Sequence, residues 1–332
     1  MKRKKIILMI GKNDRYGGAT YEKYLSEILD YYYYTSHLFL DFGNNKIYTI
    51  LKAVKLSLLL LINQFKLKNS IVIKNITTLL IPSLSFRKNI IIVHHLDFSQ
   101  DKYRYIYKLF EKIIYKNLRK AAAIVVVSSY WKRYLNERGF TNVWLIYNPF
   151  DTKKIIFSPE EIRNFKERYG LTGKPIIYLG SFGKAKGTEK VYDAIKGLDA
   201  FFVSSGGAKV KDIPFINLNL NYRDYLLLLK ASSVAVTMSE FDEGWCRVAH
   251  EAMLCGTPVV GSGRGGMEEL LNGGKQVICR KFKELRNHIV MLLKDAELRR
   301  SLGTSGFKYA SEFNIERFNR CWIDLIENIT NE

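Results

Sequence analysis

Short apolar runs alternate with stretches of helical spacing along the whole chain, and this pattern predicts the fold class. The runs are rich in β-branched residues and apolar almost throughout, which is typical of strands covered by helices on both faces. Alternation of such strands with helices predicts parallel, doubly wound α/β sheets. Ten strands are predicted, at Ile6–Ile10, Ser70–Ile73, Ile90–Val93, Ile124–Val127, Val143–Tyr147, Ile176–Leu179, Ala200–Val203, Val234–Thr237, Pro258–Val260 and Gln276–Ile278.

The pattern is interrupted once near the middle of the chain. Pro149 ends the fifth apolar run, and helical spacing resumes only near Pro159. We therefore place a linker at Tyr147–Asp151 and predict two α/β domains, residues 1–149 and 150–310, with a cleft between them. In such folds, ligands bind outside the carboxyl ends of the strands.

Composition narrows the class of protein. The chain has 332 residues, of which 47% are hydrophobic and 25% charged, so it is globular and neither disordered nor collagen-like. Its four cysteines form no CxxC pair, which favours thiols in a reducing compartment over a disulfide framework or a zinc site. The opening MKRKKIILMIG has a basic start like a signal peptide, but charged residues follow its short apolar run, and we interpret it as a buried first strand.

Positive charge is concentrated in the first half of the chain. The net charge is +20; residues 1–150 hold 25 basic and 9 acidic side chains, or +16, against 27 and 23, or +4, in residues 151–332. A field of this sign indicates a partner that carries phosphate, either an anionic membrane surface or a nucleic acid. The longest apolar run, Leu56–Ile62, is far shorter than the roughly 20 residues of a spanning helix.

An amphipathic helix with a basic polar face is predicted at Asp101–Lys120. Either it is a crossover helix with solvated lysines, or its basic face contacts an anionic membrane surface. Tyr48–Lys68 has a similar pattern. The apolar stripe of the first helix holds Ile106, Leu109, Phe110, Ile113 and Ile114, and its basic residues are Lys102, Lys108, Lys112, Lys116, Arg119 and Lys120.

The segment Ser239–Val260 carries the clearest chemistry. It follows a predicted strand, turns at Gly244 and continues as a helix to Leu254. The first N–H groups of such a helix have no internal partner and favour an anion. Glu243 and Glu251 lie eight residues apart, close to two helical turns, so we expect them to face one cleft and accept hydrogen bonds from sugar or ribose hydroxyls. The alternative is a dipole-compensating charge at Glu243 and a solvated one at Glu251.

The sequence EGWCRVAHEAMLCGTPVVGSGRGGMEELL resembles the signature of the family 4 retaining glycosyltransferases, including their E-x7-E pattern. The resemblance extends to the glycine loop at Gly180–Gly187 and the linker at Asn148–Asp151. It implies the GT-B fold: two Rossmann-like, doubly wound parallel-sheet domains that face each other across a cleft. It also implies that the amphipathic terminal helix, at residues 311–330, crosses back onto the first domain.

The resemblance implies a role for each matching residue of the donor site. Glu251 would bind the ribose of a nucleotide sugar, Glu243 the sugar hydroxyls, and Lys186, assisted by Lys184, the diphosphate. Ser181 stands where the family usually has arginine, which leaves the phosphate site one positive charge short. Backbone amides that would receive the sugar or diphosphate belong to Gly244, Trp245, Cys246, Arg247 and Val248.

Other candidate residues have equally plain structural explanations. Of the pair His94 and His95, which the resemblance places beside the transferred sugar, we choose His94 for the site, although a core histidine is the alternative. Gly17 and Gly18 fall where the family has a glycine loop, but turn formation explains them too. Arg264 either approaches a phosphate or is a solvated loop residue.

Two further side chains lie inside the donor motif. Cys246 stands where the family commonly has glycine, and it either packs behind the loop or narrows the sugar pocket. We expect His250 to be a structural residue of the helix rather than a catalyst.

The implied reaction moves a sugar, with retention, from a UDP- or GDP-sugar to an acceptor hydroxyl on a lipid-linked or cell-surface glycan, as in polysaccharide biosynthesis. We expect no cofactor and no metal, since lysine and amides hold the diphosphate and the sequence offers no compact DxD or His/Cys cluster. The predicted location is cytoplasmic, peripheral on the inner membrane face. The alternatives are a non-catalytic glycosyltransferase-like scaffold and a basic nucleic-acid-binding protein, for which no recognisable DNA or RNA module is found.

Overall fold

The computed structural model describes residues 5–11, 17–40, 70–76, 88–97, 99, 104–206 and 214–331. The chain divides into two units. Unit 1 holds the described residues up to 97, residues 104–149 and the terminal segment from Ile315; unit 2 holds residue 99 and Phe150–Asn314. The predicted helical stretch Tyr48–Lys68 lies outside the described residues.

Unit 1 is built on a six-stranded sheet in which every strand pair is parallel. The strand order is β2-β1-β3-β4-β5-β6, so the order reverses beside β1, between β1 and β3. In open α/β sheets, the crevice at such a reversal is where ligands bind. The strands are β1 (Lys5–Gly11), β2 (Tyr34–Leu40), β3 (Ile71–Asn75), β4 (Lys88–Val93), β5 (Ala123–Val126) and β6 (Val143–Leu145).

Unit 2 is built on a second parallel six-stranded sheet, with the order β12-β11-β10-β7-β8-β9. This is the strand order of the Rossmann fold, and its reversal lies between β7 and β10. The strands are β7 (Ile176–Tyr178), β8 (Phe201–Ser205), β9 (Ile216–Leu218), β10 (Val234–Thr237), β11 (Val259–Gly261) and β12 (Val277–Ile278).

Eleven α-helices in the described parts of the chain cover the two sheets. Several begin at side-chain caps; α4 has a capping box in which Ser158 and Glu161 bond each other's main-chain N–H, with Pro159 at its first turn. The helices are α1 (Gly17–Tyr32), α2 (Arg104–Leu118), α3 (Ser129–Asn136), α4 (Pro159–Arg168), α5 (Thr188–Ile195), α6 (Tyr222–Ala231), α7 (Arg247–Leu254), α8 (Gly266–Gly273), α9 (Phe282–Lys294), α10 (Ala296–Ala310) and α11 (Ile315–Asn331).

The structure confirms the doubly wound parallel sheets predicted from the apolar runs. Each of the ten predicted strands has a counterpart, and β3 to β5, β7 and β10 are buried almost throughout, as expected for strands with helices on both faces. The MKRKKIILMIG segment contributes β1, with Ile6 to Met9 buried. Two strands were not predicted, β2 and β9.

The terminal helix α11 belongs to unit 1. Its buried face includes Trp322, whose indole donates a hydrogen bond of 3.1 Å to the Tyr21 hydroxyl on α1. Phe318 packs edge-on against the same Tyr21 ring at a centroid distance of 4.9 Å. Fully buried aromatic side chains of this kind dominate the stability of a core.

The basic helix predicted in the first half is α2. Ile114 and Leu118 are buried, and Lys108, Lys112 and Lys116 are exposed, as its amphipathic pattern predicts. The position predicted for Ile113 is wrong: 43% of this residue is exposed, because helix geometry turns it 100° from Ile114 and toward the lysine face.

Candidate functional site

The candidate donor site lies at the reversal of the unit 2 sheet. After β7 the chain continues through Gly180 and a 3₁₀ turn at Lys184–Lys186; after β10 it continues through Ser239 to Glu243. A main-chain hydrogen bond of 2.9 Å from the Glu240 N–H to the Ala185 carbonyl joins these two loops. Both loops therefore stand at the carboxyl ends of neighbouring parallel strands, where this fold binds ligands.

Lys186 and Glu243 form an ion pair at this position. Lys186 Nζ lies 2.5 Å from Glu243 Oε1, and the Ser239 hydroxyl donates to the same oxygen. The ammonium also lies 4.8 Å from the centre of the Phe241 ring. Burial alone would lower the pKa of Lys186, but the adjacent Glu243 carboxylate outweighs it, and the pKa stands above its ordinary value. Lys186 is therefore charged at neutral pH.

Backbone contacts fix the loop that carries Glu243. Its N–H donates to the Arg264 carbonyl at 3.3 Å, and its carbonyl accepts from the Gly266 N–H at 2.8 Å. Gly265 lies between these contacts with φ +64, and a side chain there would collide with the Glu243 backbone. Only glycine satisfies both the close approach and the positive φ. This role of Gly265 was not predicted from the sequence.

The prediction that Glu243 and Glu251 lie two turns apart on one helix is wrong, although both side chains are buried at the site. Helix α7 begins at Arg247, so Glu243 lies in the preceding loop and the eight-residue spacing is not two turns of one helix. Glu251 lies on α7 itself. Glu243 is 7% exposed and Glu251 5% exposed, so neither is a solvated surface charge. The alternative, in which Glu251 is a solvated helix charge, is therefore wrong.

Glu251 is held by three donors. The Tyr225 hydroxyl donates to Oε2 at 2.9 Å, while the Tyr222 hydroxyl and the Arg247 guanidinium each donate to Oε1 at 3.2 Å. Both tyrosines lie on α6. The spacing of Arg247 and Glu251, four residues apart on α7, is that of a helical ion pair. Nothing in the sequence pattern indicated the two tyrosine contacts, because α6 is separated from Glu251 by a strand and a loop.

The buried turn from Gly244 to Cys246 leads into α7, which begins with Arg247 and Val248. Cys246 is the N-cap residue and has no side-chain oxygen to cap the helix. Burial, with the nearby Glu243 carboxylate, raises the pKa of its thiol to about 12, so it is not a nucleophile at neutral pH. The guanidinium of Arg247 lies 4.3 Å from the centre of the Phe150 ring, and Val248 is half-buried.

His250 is a structural residue, as expected. Its Nδ1 accepts from the indole of the buried Trp245 at 3.0 Å, and its Nε2 donates to the Ala310 carbonyl at 3.0 Å. The ring stacks on Phe150 at 3.7 Å. Burial, then the charge of Arg247, lowers the pKa of His250 well below its ordinary value, so the ring is neutral.

The remaining unit 2 candidates lie nearer the surface. The Ser181 carbonyl accepts from the Thr188 hydroxyl at 3.0 Å, which ties the glycine loop to the start of α5. Lys184 is exposed in the 3₁₀ turn. Arg264 is exposed and donates to the Glu240 carbonyl at 2.9 Å. Its guanidinium is thus occupied within the loop that holds Glu243.

A second cluster lies at the reversal of the unit 1 sheet. The pair Gly17 and Gly18, predicted as a loop, instead begins α1, and a side chain at Gly18 would approach the His94 ring within 3.1 Å. His94 Nε2 lies 4.0 Å from the carboxylate of Glu22, which is buried and accepts from Asn75 Nδ2 at 2.7 Å. Glu22 was not among the residues predicted from the sequence.

His95, the other member of the histidine pair, makes a different contact. Its Nδ1 lies 3.0 Å from the Asp97 carbonyl in the turn after β4. This contact places the His95 ring against the turn that follows β4.

The described residues contain neither a metal-ligand cluster nor a membrane-spanning helix. No group of three or more His, Cys, Asp or Glu side chains there is arranged to hold a metal ion. None of the described helices has the length and apolar character needed to cross a bilayer. All four cysteines are free thiols.

Two known proteins are similar to this chain in amino-acid sequence. A 28% identical match covers 208 residues of an uncharacterised glycosyltransferase from Methanocaldococcus jannaschii, or 58% of this chain and 56% of that protein. The N-acetyl-alpha-D-glucosaminyl L-malate synthase of Bacillus anthracis is 25% identical over 214 residues, 57% of this chain and 56% of that protein. The chain thus matches a little over half the length of these relatives.

Solved structures match over nearly the whole chain. Anabaena HepE, solved with UDP-glucose, superposes with a TM-score of 0.77 at 17% identity, covering 98% of this chain and 100% of that one. Sucrose-phosphate synthase from Thermosynechococcus elongatus gives a TM-score of 0.81 at 16% identity, covering 98% and 99%. At these identities the likeness establishes the fold, which is GT-B.

The region that matches a known family lies in unit 2, which contains the Lys186–Glu243 pair and Glu251. The model of the glycosyl transferases group 1 family matches residues 160–309. This range includes the glycine loop, all of α7 and the Gly265 turn. Residues 160–309, within the GT-B fold of this chain, are thus similar to the glycosyl transferases group 1 family.

Proposed function

We propose that this protein is a retaining glycosyltransferase that moves a sugar from a nucleoside diphosphate sugar to an acceptor hydroxyl. The observation that carries the proposal is the contact of a charged lysine, Lys186, with a buried carboxylate, Glu243, at the reversal point of a Rossmann sheet. A cation there matches a diphosphate, and an acceptor-only carboxylate beside it matches sugar hydroxyls. The family match over residues 160–309 supports the same assignment.

Lys186 has the central electrostatic role in the proposed reaction. As the bond from the sugar to the diphosphate breaks, negative charge grows on the leaving group, and a fixed ammonium stabilises that charge. The amides from Gly244 to Val248, at the start of α7, would add donors to the same phosphates. The proposal requires no metal, because these groups supply the positive charge.

Glu243 and Glu251 have separate roles in donor recognition. The Glu243 carboxylate, fixed by its backbone contacts with Gly265 and its neighbours, would accept from the donor sugar's hydroxyls. Glu251, held by α6, would accept from the ribose. Retention follows if the acceptor attacks from the face that the diphosphate leaves, with a leaving-group oxygen taking its proton.

The acceptor is assigned to unit 1. We place acceptor recognition at the cluster of His94 and Glu22, and we propose a lipid-linked or cell-surface glycan as the acceptor. The exposed face of α2 presents Lys108, Lys112 and Lys116 together with the exposed Tyr105 and Ile113. Lysines beside apolar side chains suit an anionic bilayer surface, with about 1 kcal/mol for each basic residue near it. The proposed location is the cytoplasmic face of the membrane.

Activity toward a panel of UDP- and GDP-sugars tests the function. We expect transfer, or slow hydrolysis, of one of these donors. The transferred sugar should keep its anomeric configuration, as measured by NMR, and the reaction rate should not change when EDTA removes metal ions. The variants Lys186→Ala and Glu251→Ala should each lower kcat/KM at least about 100-fold, since each removes a charged group from the donor site. Lys190→Ala is the matched control, because Lys190 is exposed and paired with Glu240. Wild-type turnover in both site variants would contradict the proposal.

A further inference from the structure

The hydrogen bonds to Glu251 occupy most of the acceptor positions on its carboxylate. A carboxylate has about four lone-pair positions, two on each oxygen. Tyr222 and Arg247 occupy both positions on Oε1, and Tyr225 occupies one on Oε2. One position is left, whereas a ribose offers two neighbouring hydroxyls.

The two tyrosines differ in how firmly they are held. Tyr225 is half-buried within α6, its bond to Glu251 is the shorter at 2.9 Å, and its ring lies 6.1 Å from that of the buried Tyr178. Tyr222 begins α6, is 48% exposed, and makes the longer bond of 3.2 Å. An exposed side chain that gives up one long hydrogen bond can replace it with water. A side chain packed like Tyr225 cannot do so without cost.

Tyr225 also remains a donor at every working pH. Burial, and then the Glu251 charge, raises the pKa of Tyr225 well above its ordinary value. The protonated hydroxyl therefore stays on Oε2, and the direction of that bond is fixed. The guanidinium of Arg247 is likewise restrained, because it lies against the Phe150 ring.

We propose that the tyrosine pair on α6 sets ribose recognition at Glu251. Tyr225 is a positioning residue that orients the carboxylate, and Tyr222 is a competitor whose hydroxyl holds the Oε1 position that a ribose hydroxyl takes when the nucleotide binds. This inference rests on the proposed function, which assigns the ribose to Glu251. It adds that donor affinity is limited by displacement of Tyr222.

Nucleotide binding to conservative variants of the full chain tests the inference. Calorimetry would measure the Kd of UDP or GDP, whichever the wild type binds more tightly, and of its 2′,3′-dideoxy analogue. Tyr222→Phe should tighten binding of the ribonucleotide about three- to tenfold, because the competitor is removed, and leave the dideoxy analogue unchanged. Tyr225→Phe should weaken binding of the ribonucleotide and affect the analogue less. A general loss of structure would weaken both nucleotides equally.

The variant Glu251→Gln separates this inference from the proposed function. If the wild type prefers the ribonucleotide and Glu251→Gln removes that preference, the ribose assignment holds. In that case, unchanged or weaker ribonucleotide binding by Tyr222→Phe overturns the competitor role alone. If the wild type binds neither nucleotide, or does not distinguish ribose from dideoxyribose, the proposed function of Glu251 fails and the inference fails with it.

Discussion

Glu22 provides a quantitative test of the unit 1 cluster. The carboxylate lies on α1, is only 5% exposed, and has Asn75 Nδ2 at 2.7 Å as a donor. Burial raises the pKa of Glu22 to about 7, and the Asn75 hydrogen bond opposes this only in part. Between pH 4.5 and about 7, Glu22 is therefore protonated in the folded protein and ionised in the unfolded chain, where its pKa is the ordinary 4.5.

The sign of the effect on stability follows from this difference in bound protons. Between about pH 4.5 and 7 the folded state binds more protons at Glu22, so its contribution to the free energy of unfolding falls as the pH rises. Compared with a side chain that is neutral in both states, Glu22 lowers the free energy of unfolding by about 1 kcal/mol at pH 5 and about 3 kcal/mol at pH 8. Replacement by glutamine, which is neutral at both pH values, should remove that dependence.

Urea denaturation of the wild type and Glu22→Gln at pH 5 and pH 8 measures the effect. The stability of Glu22→Gln relative to wild type should rise by about 2 kcal/mol from pH 5 to pH 8, whatever its value at pH 5. Glu27→Gln, at an exposed position of the same helix, is the control and should stay within about 0.5 kcal/mol of wild type. A relative stability of Glu22→Gln that is the same at both pH values would refute the reasoning.

Two further perturbations test the surface of α2 and the buried His250 on α7. The double variant Lys108→Gln/Lys112→Gln should weaken binding to vesicles with anionic lipid about 10- to 30-fold in co-sedimentation, with no change for neutral vesicles; equal binding by wild type and variant would contradict membrane contact through α2. His250→Phe keeps the stacking on Phe150 but removes the acceptor for the Trp245 indole, so urea denaturation should show a loss of about 2–4 kcal/mol. A loss below about 0.5 kcal/mol would show that these hydrogen bonds contribute little.

Strand positions could be predicted where the signal is local. Ile90–Val93 is apolar and β-branched at every position, and it falls within β4. β2 was missed because its sequence YTSHLFL mixes polar and apolar residues, with Tyr34 and Ser36 exposed. β9 was missed because Asn217 interrupts its short apolar sequence, INL, and all three residues are only half-buried at the edge of the sheet. Periodicity detects strands that are buried on both faces better than those at the edge of a sheet.

Candidate residues could be predicted where a motif carries them, but not their contacts. The resemblance named both Lys186 and Glu243, yet their ion pair joins positions 57 residues apart and arises only because β7 and β10 are neighbours at the reversal of the sheet. Helical spacing gave the wrong reason for pairing Glu243 with Glu251, since a loop closed by Gly265 places the former. A residue type indicates chemistry, whereas strand order decides which residues meet.

The partners missed by sequence reasoning share one cause. Tyr222 and Tyr225 lie on the helix before β10, and Glu251 lies on the helix after it. These two helices pack against each other, a contact that follows from the right-handed connections of a doubly wound sheet once its strand order is known. Glu22 on α1 and His94 in the turn after β4 also lie close together, 4.0 Å apart, beside the reversal of the other sheet. Polar residues near the end of each strand at a reversal, and on the helices beside it, are therefore the ones to examine once the topology is established.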